Sequence, residues 1–299
     1  MRNKFSETLF KNIKKNKNIF VVAADISPSG AMAKFQKSNK NFINVGVAEQ
    51  NMIGVCAGLA MSGKKVFAYT IAPFSIYRPF EMVRDDICYQ NLPITVVGMG
   101  AGTIYANLGG THTAIEDISI ARSIPNMAVI SPCDPLELVS VVNYCCTKNL
   151  SPTYLRIGKS GEKNITENAV EKWKFGKIRK IINGKKTCIL SHGPIAKLAY
   201  DAIKIKNKNI SLYSCSTLKP FDENGIKKIF RKYKKIITLE DHSIIGGLSD
   251  IITNLAFKNN YKGKIITNSL KDKFIHVFSN QDDLLEAHGI SLKKLIKQI

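Results

Sequence analysis

Two consecutive doubly wound α/β domains are what this sequence predicts, and three observations carry the prediction. Short β-branched runs alternate with helix-length amphipathic segments, the pattern of parallel strands separated by covering helices. The chain has 299 residues, more than one typical domain needs and enough for two proper cores. A polar stretch of weak pattern, Gly158 to Lys180, interrupts the alternation, which then restarts.

In the first half, Ile19 to Ala24, Lys65 to Tyr69, Ile94 to Val97, Ala128 to Ile130 and Thr153 to Ile157 read as strands. In the second, Cys188 to Leu190, Ser211 to Ser214, Ile236 to Leu239 and Ile265 to Ile266 do the same. The expected division is a first domain at 1–160, a linker at 161–180 and a second domain at 181–299. No internal repeat or low-complexity segment stands out.

Composition narrows the function class. An apolar fraction of 44% with 22% charged residues belongs to a folded globular chain, and no apolar run approaches the ~18 residues of a membrane span. Met1 to Lys17 is basic and amphipathic but has neither a continuous apolar core nor a small-residue cleavage site, so a cytoplasmic protein with no membrane partner is expected. The seven cysteines sit mostly in apolar stretches without C-x-x-C spacing or neighbouring histidines, which reads as reduced core thiols and no metal site. The net charge of +21 is spread as lysines among Asn and Ile, without the interleaved aromatics that a nucleic-acid platform needs. Such a surface still favours small anionic substrates near a cleft.

Ligands of open parallel sheets bind beyond the carboxyl ends of the strands, so the loops there are where chemistry should lie. One is Asp25-Ile26-Ser27-Pro28-Ser29-Gly30, another Thr70 to Tyr77, and a third the glycine-rich stretch ending Gly109-Gly110-Thr111-His112. Between the first two, Val45-Gly46-Val47-Ala48-Glu49-Gln50 leads into a nearly all-apolar helix in which Gly54 and Gly58 permit close packing. An acid at a helix N-terminus normally just favours the dipole, by up to about 1 kcal/mol. In apolar surroundings Glu49 can also exchange a proton with a bound heterocycle.

These segments resemble successive blocks of transketolase and deoxyxylulose-phosphate synthase. They are Val-Gly-Val-Ala-Glu-Gln, Thr70-x-x-x-Phe74-x-x-Tyr77, Arg84 to Pro93, Gly-Gly-Thr-His, Ile124 to Met127, Ser131 to Asp134, and Leu239-Glu240-Asp241-His242 with Gly246-Gly247. They occur in the same order along nearly the whole chain, which implies a pyrimidine-binding domain followed by a transketolase C-terminal-type domain.

The resemblance also implies roles. Glu49 matches the glutamate that hydrogen-bonds the pyrimidine nitrogen of thiamine diphosphate and promotes proton transfer from the thiazolium carbon. Phe74 and Tyr77 match aromatics packed on the aminopyrimidine, and Ile26, with Asp25 beside it, matches the residue that keeps the cofactor bent. His112 matches the histidine near the reacting carbon. Ser29 and Arg156 match phosphate contacts, a task for which the Arg fork is suited, and Arg2 lies one residue from the place of another. Two departures concern the sugar: Leu108 stands where an aspartate is usual, and Gly100 where a histidine is.

The family's Gly-Asp-Gly segment, which with a later Asn holds a divalent metal and the diphosphate, is absent. The resemblance therefore implies a separate N-terminal, diphosphate-binding subunit that holds Mg2+, joined with this chain in a heterotetramer. The activity implied is transfer of a two-carbon ketol unit between phosphorylated sugars. The alternatives are the beta subunit of a 2-oxo-acid dehydrogenase, whose usual Gln-His-Ser is replaced here by Gly-Thr-His-Thr, and a catalytically silent regulatory subunit. Among the remaining histidines, His192, His276 and His288 read as structural, and His242 as either.

Overall fold

A computed structural model of the chain describes residues 1–26, 31–38, 40–206 and 209–299. Its strands are β1 (Ile19–Ala23), β2 (Phe42–Asn44), β3 (Lys65–Ile71), β4 (Thr95–Met99), β5 (Ala128–Ile130), β6 (Thr153–Ile157), β7 (Arg179–Ile182), β8 (Thr187–Ser191), β9 (Ile210–Ser214), β10 (Thr217–Lys219), β11 (Lys235–Ser243) and β12 (Lys264–Leu270). The α-helices are α1 (Arg2–Lys15), α2 (Ala31–Ser38), α3 (Glu49–Met61), α4 (Ala72–Ile76), α5 (Phe80–Met82), α6 (Asp117–Ser123), α7 (Pro135–Thr147), α8 (Ala196–Lys206), α9 (Glu223–Lys232), α10 (Leu248–Lys258), α11 (Gln281–Ala287) and α12 (Leu292–Gln298). None of the described helices is long and apolar enough to cross a membrane.

The strands form two sheets, ordered β10-β5-β6-β4-β3-β1-β2 and β12-β11-β8-β9-β7. All pairings are parallel except β10 on β5 and β7 on β9. Strands covered on both faces need apolar side chains at nearly every position, which is why β1, β4 and β6 are buried almost throughout. Alternate residues of the first sheet serve two cores. Val22, Val66, Ala68 and Val96 face one, and Val21, Phe67, Tyr69, Val97 and Leu155 the other.

The first of these cores continues into the second sheet through Cys188, Leu190 and Ile236, so the two halves share buried apolar surface. All the strands expected from the sequence are present. Three more leave little trace in it. β2 and β7 are half-exposed edge strands without a continuous apolar run, and β7 begins inside the stretch expected to be linker. β10 leaves the second half of the chain to pair with β5, Thr217 opposite Ile130. Residues 72–76, expected as loop, form α4 with Pro73 in its first turn, a position where its missing N–H costs nothing.

Candidate active site

The carboxyl edge of the first sheet gathers the ends of β1, β3, β4 and β6. At the β1 end, Asp25 adopts a left-handed backbone (φ +37°) and its N–H donates to Asn44 Oδ1 at 3.2 Å. The same oxygen accepts from the Gly46 N–H at 3.0 Å. Asn44 thus ties the end of β1 to the turn that starts α3. Ile26 is half-buried against the core containing Phe35 and Val21. Ser29 lies outside the described residues.

Helix α3 opens with Glu49, which is 4% exposed although the helix carries no side-chain cap. Met52, Ile53 and Cys56 bury its inner face. Gly54 and Gly58 have no atom within 4 Å of where a Cβ would stand, so none of the described residues covers these two positions. The carboxylate of Glu49 accepts from Arg78 Nη1 at 2.8 Å. Arg78 lies four residues after Phe74, in the turn that follows α4, and its guanidinium carbon lies 3.8 Å from the centre of the Phe74 ring.

On Phe74 also stands His112, edge to face, with ring centres 5.2 Å apart. Tyr105 packs against His112 in turn at 6.2 Å, and the Lys159 ammonium lies 4.5 Å from the centre of the Tyr105 ring. The result is one continuous line: Glu49, Arg78, Phe74, His112, Tyr105, Lys159. Arg2 closes its far end. The Arg2 backbone N–H donates to the Lys159 carbonyl at 3.0 Å, while its side-chain Nε is buried with no hydrogen-bond partner among the described residues. Burial raises the pKa of the Tyr105 hydroxyl, and the nearby Arg2 charge works against that rise. Glycine at position 100 is explained locally. Its φ is +67°, and a Cβ there would collide with the Tyr105 ring. Leu108, at 46% exposed, leaves its place open to solvent.

Two expected site residues lie elsewhere. Tyr77 turns away from Glu49: its hydroxyl donates to Glu116 Oε2 at 2.8 Å and accepts from the Glu116 N–H at 3.2 Å. Burial, reinforced by Asp117 and Glu116, keeps it protonated. Arg156 departs furthest from the phosphate contact its match implies, because it is 1% exposed and its guanidinium is committed within the chain. Nε donates to Asp117 Oδ2 at 2.9 Å and Nη1 to Asp241 Oδ1 at 2.8 Å. Nη2 donates to the carbonyls of Asp241 at 3.1 Å and Ala114 at 3.3 Å. Burial alone would lower its pKa, but Asp117 and Asp241 hold it above the ordinary value.

This buried cluster supports the base of the loop that carries His112. Gly102 and Ala114 exchange backbone hydrogen bonds at 3.0 Å, and Gly102 (φ +69°) presses so close to Asp241 that any Cβ would meet its carboxylate. His242 also belongs to the interface between the two sheets. It is fully buried, its Nε2 faces the Ser119 N–H at 3.3 Å, and burial lowers its pKa. Arg78 is absent from the residues expected at the site, and the one local hint of it is its spacing from Phe74. Lys159 meets Tyr105, and Asn44 meets Asp25, only through tertiary structure.

The family model described as "Transketolase, pyrimidine binding domain" matches residues 1–161, and "Transketolase, C-terminal domain" matches residues 176–295. The chain is 34% identical over its whole length to a putative transketolase C-terminal section from Methanocaldococcus jannaschii, covering 95% of that protein. It is 30% identical to one of the subunits of apulose-4-phosphate transketolase from Phocaeicola vulgatus, over 99% of this chain and 95% of the relative. Among solved structures, a split-gene transketolase in an inactive beta4 tetramer superposes with a TM-score of 0.88 at 29% identity, covering 99% of this chain and 96% of that one. By length, order of domains and three-dimensional course, this chain belongs to the transketolase family.

Proposed function

We propose that this chain is the pyrimidine-binding and C-terminal subunit of a split, thiamine-diphosphate-dependent transketolase, active only with a separate diphosphate-binding subunit. One observation carries the reading: the buried acid Glu49, its partner Arg78, the Phe74 ring and His112 follow one another in contact. The residues fit the cofactor. A carboxylate buried at the start of an apolar helix, next to a half-buried aromatic ring, suits a flat nitrogen heterocycle that can share a proton. When bound, thiamine diphosphate supplies the carbanion chemistry of two-carbon transfer.

Glu49 would hold the pyrimidine nitrogen and share its proton, with Phe74 against the ring. Ile26 and Asp25, steadied by Asn44, form the opposite rim. Tyr77 acts at one remove, fixing Glu116 beneath the loop. His112 is placed to polarise a carbonyl and move protons on the substrate. Lys159 and Arg2, the cations gathered behind His112 and Tyr105, take the phosphate role that the buried Arg156 cannot, and Ser29 remains a candidate for it. Sugar phosphates as the substrate class are supported by the Phocaeicola vulgatus relative, named for apulose 4-phosphate.

The relatives that this chain covers to 95% are named as a C-terminal section and as one subunit of a transketolase, which supports assigning the Mg2+ and the diphosphate to a partner. The open glycine face of α3 is available for that subunit or for a second copy in a heterotetramer. A similar split-gene chain forms an inactive tetramer, which favours assembly of lone chains without activity. Seven buried free thiols agree with a cytoplasmic location.

The test is a ketol-transfer assay with thiamine diphosphate and Mg2+, using the chain alone, the chain with a diphosphate-domain subunit of the same genome, and the mixture carrying Glu49→Gln. Activity in the wild-type mixture only is expected. Activity of the lone chain, or an unimpaired Glu49→Gln mixture, contradicts the proposal.

A further inference from the structure

We infer that Arg78 is a built-in stand-in for the cofactor ring, holding the place on Glu49 and Phe74 that the aminopyrimidine takes and leaving when the cofactor binds. This rests on the proposed assignment of that face to thiamine diphosphate. Two contacts made at once carry the inference. Nη1 lies 2.8 Å from Glu49 Oε1, and the guanidinium carbon lies 3.8 Å from the Phe74 ring centre, a van der Waals stacking distance. A planar nitrogen-bearing group bonded to the carboxylate and lying over the phenyl ring takes the same two contacts that a pyrimidine ring nitrogen and its flat face would make there. The ring face that the guanidinium covers cannot carry both groups at once.

The pair is asymmetric in the way a displaceable cover requires. The Glu49 side chain is 5% exposed and the Arg78 side chain 45%, so the acid is fixed and the cation lies on the solvent side. Arg78 is anchored through its main chain, with Gln50 Nε2 donating to its carbonyl at 3.5 Å, and its long side chain can swing out without moving the backbone. An ion pair and a cation–π contact on a half-exposed side chain are each weak. Together they keep a buried carboxylate compensated while the cleft is empty, at the expense of about tenfold in cofactor affinity.

The experiment uses the full chain alone, with thiamine as the probe so that the diphosphate-binding partner is not needed, and follows arginine Nε–H signals by NMR. In the free wild-type chain one signal is expected to be shifted upfield by the Phe74 ring and to vanish in Arg78→Ala. Thiamine should return that signal to the solvent-exposed position in the wild type. Both Arg78→Ala and Arg78→Gln should bind thiamine about tenfold more tightly than the wild type. Equal or weaker binding by both variants overturns the stand-in role while leaving the cofactor assignment intact. Binding by none of the three proteins overturns the assignment of this face to the pyrimidine, and the inference with it.

Discussion

Arg156 and Asp241 meet across the junction of the two sheets, Nη1 to Oδ1 at 2.8 Å, with both side chains buried. One comes from the end of β6 and the other from the end of β11, and Asp117 at the start of α6 completes the cluster. Two carboxylates and one guanidinium withdrawn from water depend wholly on each other, so removing the cation strands two buried charges. Arg156→Met is expected to lower stability by about 3–5 kcal/mol, read as a fall in the urea unfolding midpoint. A variant of unchanged stability but raised KM would mean that Arg156 serves substrate after all.

Acid sensitivity has a nearby source. Burial alone would raise the pKa of Glu240, but His192, His242 and the Ser249 N–H hold it at about 2 against an ordinary 4.5. The Leu248 N–H adds a further bond to the same carboxylate at 2.6 Å. The folded pKa lies below the unfolded one, so the unfolded chain binds more protons in between. This contribution is fully present above about pH 4.5 and is lost as pH falls toward 2. His242, whose pKa burial lowers from 6.5, acts in the same direction at higher pH, withdrawing stability as pH falls below about 6.5. Urea midpoints should therefore decline below about pH 6.5 and fall further in the carboxylate range. The gap between wild type and Glu240→Gln should narrow with acid, and a constant gap would refute the assignment.

Phosphate selectivity should follow Lys159, whose ammonium lies on the Tyr105 ring behind His112. Loss of one charge-assisted contact costs about 1.5–3 kcal/mol. Lys159→Ala in the reconstituted enzyme is expected to raise KM for a phosphorylated ketose by roughly ten- to a hundredfold, with little change for its unphosphorylated counterpart. Lys159→Arg should restore most of the loss. Equal effects on both sugars would remove Lys159 from the phosphate site.

Much of this architecture is legible in the sequence because buried parallel strands demand apolar runs. β1, β4 and β6 announce themselves in that way, and the apolar stretch after Glu49 marks α3. Phe74 and His112 are legible as a pair only through the order of their blocks, and the structure does bring them into ring contact. Arg156 misleads because an arginine at a strand end looks the same whether it meets phosphate or two aspartates, and Asp241 is 85 residues away. Tyr77 misleads for a similar reason: its partner Glu116 lies 39 residues on, and local spacing does not say which side of α4 the hydroxyl will take. β10 is hidden because three residues crossing back to another sheet leave no periodic trace.

If Glu49 drives proton transfer on a bound thiazolium, as the proposed function requires, hydrogen–deuterium exchange at that carbon is the most direct test. The measurement compares thiamine diphosphate bound to the reconstituted two-subunit enzyme with wild-type Glu49 and with Glu49→Gln. Exchange should slow by at least about a hundredfold in the variant, within the range of positioned acid–base catalysis, while cofactor remains bound. Equal exchange rates in the two complexes would contradict that role.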